Sequence, residues 1–154
     1  MKGLKIKDIS VKAKQGQYGI VFTSWNPSIV QDLLKETKKE LVSQGVDEAN
    51  IYLKEVPGAF ELPLATQFMA EKEGILSVIS LGAIIRGDTP HFDFISSSCL
   101  EGLQEVSLKT RIPVICGVLT TNTIEQAEER SNPNKMNKGK EFALTALNMV
   151  DSLS

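Results

Sequence analysis

Four apolar runs alternate with segments whose apolar positions recur every three to four residues. The first run, residues 17–22, ends in Ile20-Val21-Phe22 and predicts a buried strand. Residues 50–56 alternate and predict a second strand, with Ile51, Leu53 and Val56 on one face. Residues 75–85 are apolar almost without a break, which predicts a central parallel strand buried on both faces. Residues 112–120 form the fourth run, interrupted only by Cys116-Gly117. Between these runs the period becomes helical. Ile29, Val30, Leu33, Leu34, Leu41 and Val42 predict a helix ending near Ser43, with Asn26 as its cap, Pro27 at its first position and Gly45 as its stop. Leu62, Leu64, Ala65, Phe68 and Met69 mark a second helix that closes at Gly74. Phe92, Ile95, Cys99, Leu103 and Val106 give a third over residues 92–109. Thr123 and Gln126 form a capping box that opens a short helix to Arg130. Phe142, Leu144, Leu147, Val150 and Leu153 predict a last helix over residues 138–153.

This order of elements predicts an α/β fold: a three-layer α/β/α sandwich around a four-stranded parallel sheet of flavodoxin-like type, with right-handed crossovers. Residues 1–154 read as one domain, with no repeat and no linker. Residues 1–16 are polar and lysine-rich, with weak alternation at Ile6, Ile9 and Val11, and predict an N-terminal arm or edge strand that needs a neighbouring subunit to dock on. In such sheets ligands bind beyond the carboxyl ends of the strands. Four turns converge there: Trp25-Asn26, Gly58-Ala59-Phe60-Glu61, the stretch from Ile85 to His91, and Thr120-Thr121.

Composition narrows the function classes. The net charge of −2 gives no reason to expect nucleic-acid or acidic-membrane binding. No apolar run reaches membrane-spanning length, and the basic start Met1-Lys2-Gly3 is not followed by the apolar core of a signal peptide. Cys99 and Cys116 are read as two buried free thiols in a reducing cytoplasm. A single histidine and unclustered cysteines leave no metal site. The chain has no GxGxxG after its first strand, no GxxxxGK[ST] and no GxSxG.

The unusual residues sit in the converging turns, and each has a plain reading beside a chemical one. His91 opens a helix, as a structural or exposed histidine can, but a neutral imidazole there can also take and give a proton. Gly87-Asp88-Thr89 offers backbone N–H groups to an anion, while the Asp88 carboxylate works against one unless it points away. Arg130 complements a helix C-terminus, or clamps a phosphate. Trp25 is a core residue, or stacks on a flat heterocycle whose edge Asn26 reads. Glu61 complements a helix N-terminus, or accepts hydrogen bonds from ligand hydroxyls.

Several long motifs stand in one order: Val56-Pro57-Gly58-Ala59-Phe60-Glu61-Leu62-Pro63; Leu81-Gly82-Ala83-Ile84-Ile85-Arg86-Gly87-Asp88-Thr89-Pro90-His91-Phe92-Asp93; Gly117-Val118-Leu119-Thr120-Thr121; Thr123-Ile124-Glu125-Gln126-Ala127 with Glu129-Arg130; and Asn137-Lys138-Gly139. On these motifs the chain resembles the lumazine synthases over about residues 17–150. The resemblance implies a transferase of riboflavin biosynthesis that condenses 5-amino-6-ribitylaminouracil with 3,4-dihydroxy-2-butanone 4-phosphate. The product is 6,7-dimethyl-8-ribityllumazine, released with phosphate and water, and no cofactor or metal is needed. It further implies that Trp25 stacks on the pyrimidine beside Asn26. Ala59 and Glu61 hold the ribityl chain, with Phe60 also a substrate-binding position. Backbone groups of Ala83, Ile84 and Ile85 read the uracil edge, Gly87, Asp88 and Thr89 bind the phosphate, and His91 moves protons. Arg130 and Lys138 arrive from the neighbouring subunit, which implies a homo-oligomer, a pentamer that in the family can close into an icosahedral shell, with riboflavin synthase as a partner.

The chain departs from the family pattern at three places. Cys116 stands where the family usually has phenylalanine, so one substrate-binding wall is smaller. Ser24-Trp25-Asn26 replaces a common Arg-Phe-Asn. Residues 131–137 replace a glycine-rich loop that governs shell assembly. The alternatives are a non-catalytic flavin- or lumazine-binding or shell-forming relative, supported by Cys116 and Asp88, and the archaeal-type riboflavin synthase of the same fold, against which the full phosphate-turn and histidine pattern argues.

Overall fold

In the computed structural model, which describes residues 8–154, four parallel strands form one sheet. They are β1 (Gln17–Thr23), β2 (Ile51–Val56), β3 (Ile75–Ile85) and β4 (Val114–Thr121), in the order β2-β1-β3-β4. Six α-helices complete the described residues: α1 (Val11–Lys14), α2 (Pro27–Ser43), α3 (Leu62–Ala70), α4 (His91–Thr110), α5 (Ile124–Ser131) and α6 (Lys138–Ser152). The expected α/β sandwich with its four-stranded parallel sheet is what the chain forms.

The two faces of the sheet explain the layers. Tyr18, Ile20 and Phe22 of β1 and Ile79, Leu81 and Ala83 of β3 face a core closed by α2, α5 and α6, through Leu33, Ala127 and Leu147. Val21, Val78 and Ile84 face the opposite core, closed by α3 and α4 through Leu62, Cys99 and Leu103. β3 pairs with β1 on one side and β4 on the other, so both of its faces and both of its edges are covered. That is the burial its unbroken apolar run predicts.

β2 is the outer strand beside β1 and differs from the expected pattern. Ile51 packs on the α2 side, whereas Tyr52 and Val56 pack on the α3 side. Val56 is therefore not on the face of Ile51 and Leu53: it stands five positions after Ile51, an odd offset, and strand side chains alternate. Leu53 is left largely exposed.

Residues 9–14 do not add a strand. Ser10 caps the short α1, its hydroxyl accepting from the Ala13 N–H at 3.1 Å. Asp151 of α6 accepts both the Ser10 N–H, at 3.0 Å, and the Ser10 hydroxyl. These two hydrogen bonds, the hydroxyl's first, hold the Asp151 carboxyl below its usual range. Ile9 and Ala13 are buried, and the Tyr18 hydroxyl donates to the Ala13 carbonyl at 2.8 Å. This segment therefore docks on its own chain through polar contacts that an apolar count overlooks. Ile6 lies outside the described residues.

The start of α6 is fixed by a close backbone approach. A Cβ at Gly139 would stand 2.7 Å from the Leu33 carbonyl oxygen and 2.9 Å from Glu36 Cβ. The Thr37 hydroxyl also donates to the Gly139 carbonyl, at 3.0 Å. Helix propensity alone favours alanine over glycine by about 1 kcal/mol, but overpacking against backbone costs about 1–3 kcal/mol. Gly139→Ala is therefore expected to lower the urea midpoint; a raised midpoint would mean that α2 and α6 are not in this contact.

Candidate functional site

The carboxyl ends of β1 and β3 open into a cleft of about 400 Å³. Trp25, Asn26, Ala59, Phe60, Glu61, Ala83, Ile84, Ile85, Gly87, Thr89 and His91 all line it. Three of the four turns expected to converge thus meet, as the parallel topology predicts, whereas Thr120 and Thr121 do not line the cleft.

The first turn is tied to its neighbours by backbone. The Ser24 N–H donates to the Val56 carbonyl at 2.8 Å and the Trp25 N–H to the Pro57 carbonyl at 3.3 Å, which extends the β1–β2 pairing past the strand ends. Trp25 is 73% exposed, so it is not a core tryptophan. Asn26 occupies the cap position of α2, but its side chain makes no capping bond. It adopts a left-handed conformation, φ 55°, and its amide donates to the Ala83 carbonyl at 3.0 Å. The expected cap is thus replaced by a tie from the first turn to the end of β3.

The second turn, residues 59–61, is a single 3-10 turn leading into α3. Glu61 makes no capping bond to α3, and its carboxylate lies near Gly58, where an added Cβ would come within 3.2 Å. The third turn connects β3 to α4. Nothing lies within 4 Å of the place a Cβ would take at Gly87, so the backbone there is open on that side. The His91 N–H donates to the Thr89 hydroxyl at 3.4 Å. Asp88 is exposed, and unlike Gly87 and Thr89 it does not line the cleft.

Three expected site residues are elsewhere. Cys116 and Lys138 line a different cleft of about 430 Å³, on the outer edge of β4 between α4 and α6. Lys138 is largely buried there and pairs with Glu141 at 3.1 Å. Arg130 lies on neither wall; its guanidinium donates to the Gln126 carbonyl at 3.0 Å in the last turn of α5. Cys116 is exposed, not buried as the sequence suggested, because β4 is an edge strand. Cys99 is buried, and burial, reinforced by the nearby Cys116, pushes its thiol up to about 12. Among the described residues no group of three or more His, Cys, Asp or Glu side chains is placed to hold a metal ion. No helix of theirs is long and apolar enough to cross a membrane.

The family model of 6,7-dimethyl-8-ribityllumazine synthase matches residues 15–154. The chain belongs to that family. The lumazine synthases are transferases of riboflavin biosynthesis.

Within this lumazine synthase cleft four lining residues had no place among the candidates: Thr23, Gly58, Phe92 and Ile95. Phe92 and Ile95 belong to the buried stripe of α4 and pack on that core while also forming the cleft wall. Their position in the first turn of a helix that follows a ligand-edge turn was the available signal.

The Asn26 tie makes a stability prediction. A left-handed conformation costs a residue with a Cβ about 1–2 kcal/mol, less for asparagine and least for glycine. Asn26→Ala is expected to lose more stability in urea unfolding than Asn26→Gly, since both lose the bond to Ala83 but only alanine pays the backbone strain. Equal losses would contradict the left-handed assignment.

Proposed function

We propose that the chain condenses 5-amino-6-ribitylaminouracil with 3,4-dihydroxy-2-butanone 4-phosphate to 6,7-dimethyl-8-ribityllumazine. The observation that carries the proposal is the single cleft that gathers an exposed tryptophan, a run of strand-end backbone, an open glycine turn and the only histidine. Each matches one part of the two substrates. Trp25 stacks on the pyrimidine, and the backbone of Ala83, Ile84 and Ile85 hydrogen-bonds its edge. Ala59, Phe60 and Glu61 border the ribityl chain, with the Glu61 carboxylate accepting its hydroxyls. The N–H groups of the turn at Gly87 and the hydroxyl of Thr89 receive the phosphate, while Asp88 stays off the cleft wall.

The reaction balances without an outside oxidant or reductant. The 5-amino group attacks the ketone and water leaves, forming an imine. A proton is then lost from the adjacent carbon as the C–O bond to phosphate breaks, giving an enol that becomes a ketone. The ribitylamino nitrogen attacks that ketone, and a second water leaves as the ring closes. His91 stands beside the phosphate turn, where it can take the carbon-bound proton and return one to the departing oxygen. Holding two intrinsically reactive partners together supplies much of the rate.

The remaining residues support an oligomer. Arg130, Lys138 and Cys116 lie outside the cleft that holds His91. A second copy, bringing its β4 edge and α5 to that cleft, supplies Arg130 to the phosphate, Lys138 to the substrate and the small Cys116 to one wall. A closed ring of five copies is the assembly we propose.

The test is the absorbance or fluorescence of product formed from the two substrates without added metal. The wild-type chain is expected to turn over, and no product at saturating substrate would overturn the proposal. His91→Ala should lower kcat by about 10²–10⁴-fold, the usual scale of general acid–base catalysis. Arg130→Ala should raise KM for the phosphate-bearing substrate by about 10–100-fold, the scale of one hydrogen bond to a charged group.

A further inference from the structure

Arg86 is the first residue after β3, and nothing above gives it a role. Its backbone N–H donates to the Thr121 carbonyl at 2.9 Å, adding one rung to the β3–β4 ladder. Its guanidinium then makes three kinds of contact at once. Nε donates to Asn122 Oδ1 at 2.9 Å. Nη2 and Nη1 donate to the two carboxylate oxygens of Asp93, at 3.1 and 3.4 Å. The guanidinium also stacks over the Phe92 ring, 4.4 Å from its centre. One side chain thereby joins the residue before the turn to the two residues after His91.

The turn has little else to hold it. Among the described residues its other bonds are the long His91 N–H contact to Thr89 and the first helical bonds to the Pro90 carbonyl. Asn122 is itself fixed, since its N–H donates at 2.9 Å to Gln126, the residue that completes the capping box of α5. The guanidinium is thus anchored on the end of β4 and grips the start of α4. Arg86 and Asp93 are both well exposed, and exposed ion pairs add little to folding stability. A planar bidentate fork does fix direction and distance, which an ammonium cannot do.

We propose that Arg86 is a positioning residue: it clasps the turn from Gly87 to His91 and so sets the anion-binding N–H groups and the imidazole relative to the cleft, without touching substrate. This rests on the lumazine synthase reading for its kinetic consequence, but not for the clasp itself.

The clasp is read without substrate by amide hydrogen exchange. Arg86→Ala is expected to speed exchange over residues 87–94 while leaving β1 and β3 protected; unchanged exchange in that window overturns the clasp. The kinetic arm uses the two substrates. Since small misplacement of reacting groups costs up to about 10²-fold, Arg86→Ala should raise KM for the phosphate-bearing substrate and lower kcat by about tenfold or more. KM for the pyrimidine should stay near the wild-type value. Asp93→Asn should show the same split, and the double variant should be no worse than Arg86→Ala alone, because both break one contact. Arg86→Lys retains the charge but not the fork and should fail to rescue. Full rescue by lysine, or a normal phosphate KM in Asp93→Asn, would mean that Arg86 acts on the phosphate by charge, and would overturn the proposal. A wild-type chain that forms no product removes the reading of the reaction, while the exchange experiment still decides the clasp.

Discussion

The pairing of β3 with strands on both sides is the constraint from which the rest follows. β3 is held by β1 along one edge and β4 along the other, in unbroken register to Ile85 on the β4 side. That register fixes where Ala83, Ile84 and Ile85 end, and hence where the turn to His91 begins. The same strand end receives the Asn26 amide on the Ala83 carbonyl and sends Arg86 across to Thr121 and Asn122. Two of the three turns of the cleft are therefore tied directly to the end of one buried strand. A rigid frame of this kind suits chemistry that depends on holding two reactants in line.

The electrostatics are arranged by exclusion as well as attraction. Gly87 and Thr89 line the cleft while Asp88, between them, does not, so no carboxylate of that turn stands on the cleft wall. Two of the expected cations are elsewhere: Arg130 spans its own helix end and Lys138 is paired with Glu141. A single chain thus places His91 and Trp25 on one cleft, and Arg130 and Lys138 away from it. That division is the physical reason for proposing a ring of copies.

Much of this was legible in the sequence, and the exceptions have identifiable causes. β3 and the capping box at Thr123 and Gln126 follow from period and spacing, which are local signals. Val56 reads as sharing the face of Ile51 by its apolar character, but its odd offset puts it on the other face. Asn26 reads as a cap from its place before Pro27, but its partner is the Ala83 carbonyl, and long-range ties leave no local trace. Cys116 reads as buried because its neighbours are apolar; the edge position of β4 is decided only by strand order. Residues 9–14 looked too polar to dock, since Asp151, which holds Ser10, is at the other end of the chain. The Arg86 contacts were invisible for the same reason, as Asn122 lies 36 residues away.

The central claim is that a complete site needs two copies of this chain, His91 from one and Arg130 from the next. It is tested most directly by co-assembling His91→Ala and Arg130→Ala chains, each weakly active alone. In randomly mixed rings about a quarter of the sites pair an intact His91 with an intact Arg130 across an interface. The account predicts that the mixture recovers activity to about that fraction of wild type. A mixture no more active than its two components measured separately would contradict it.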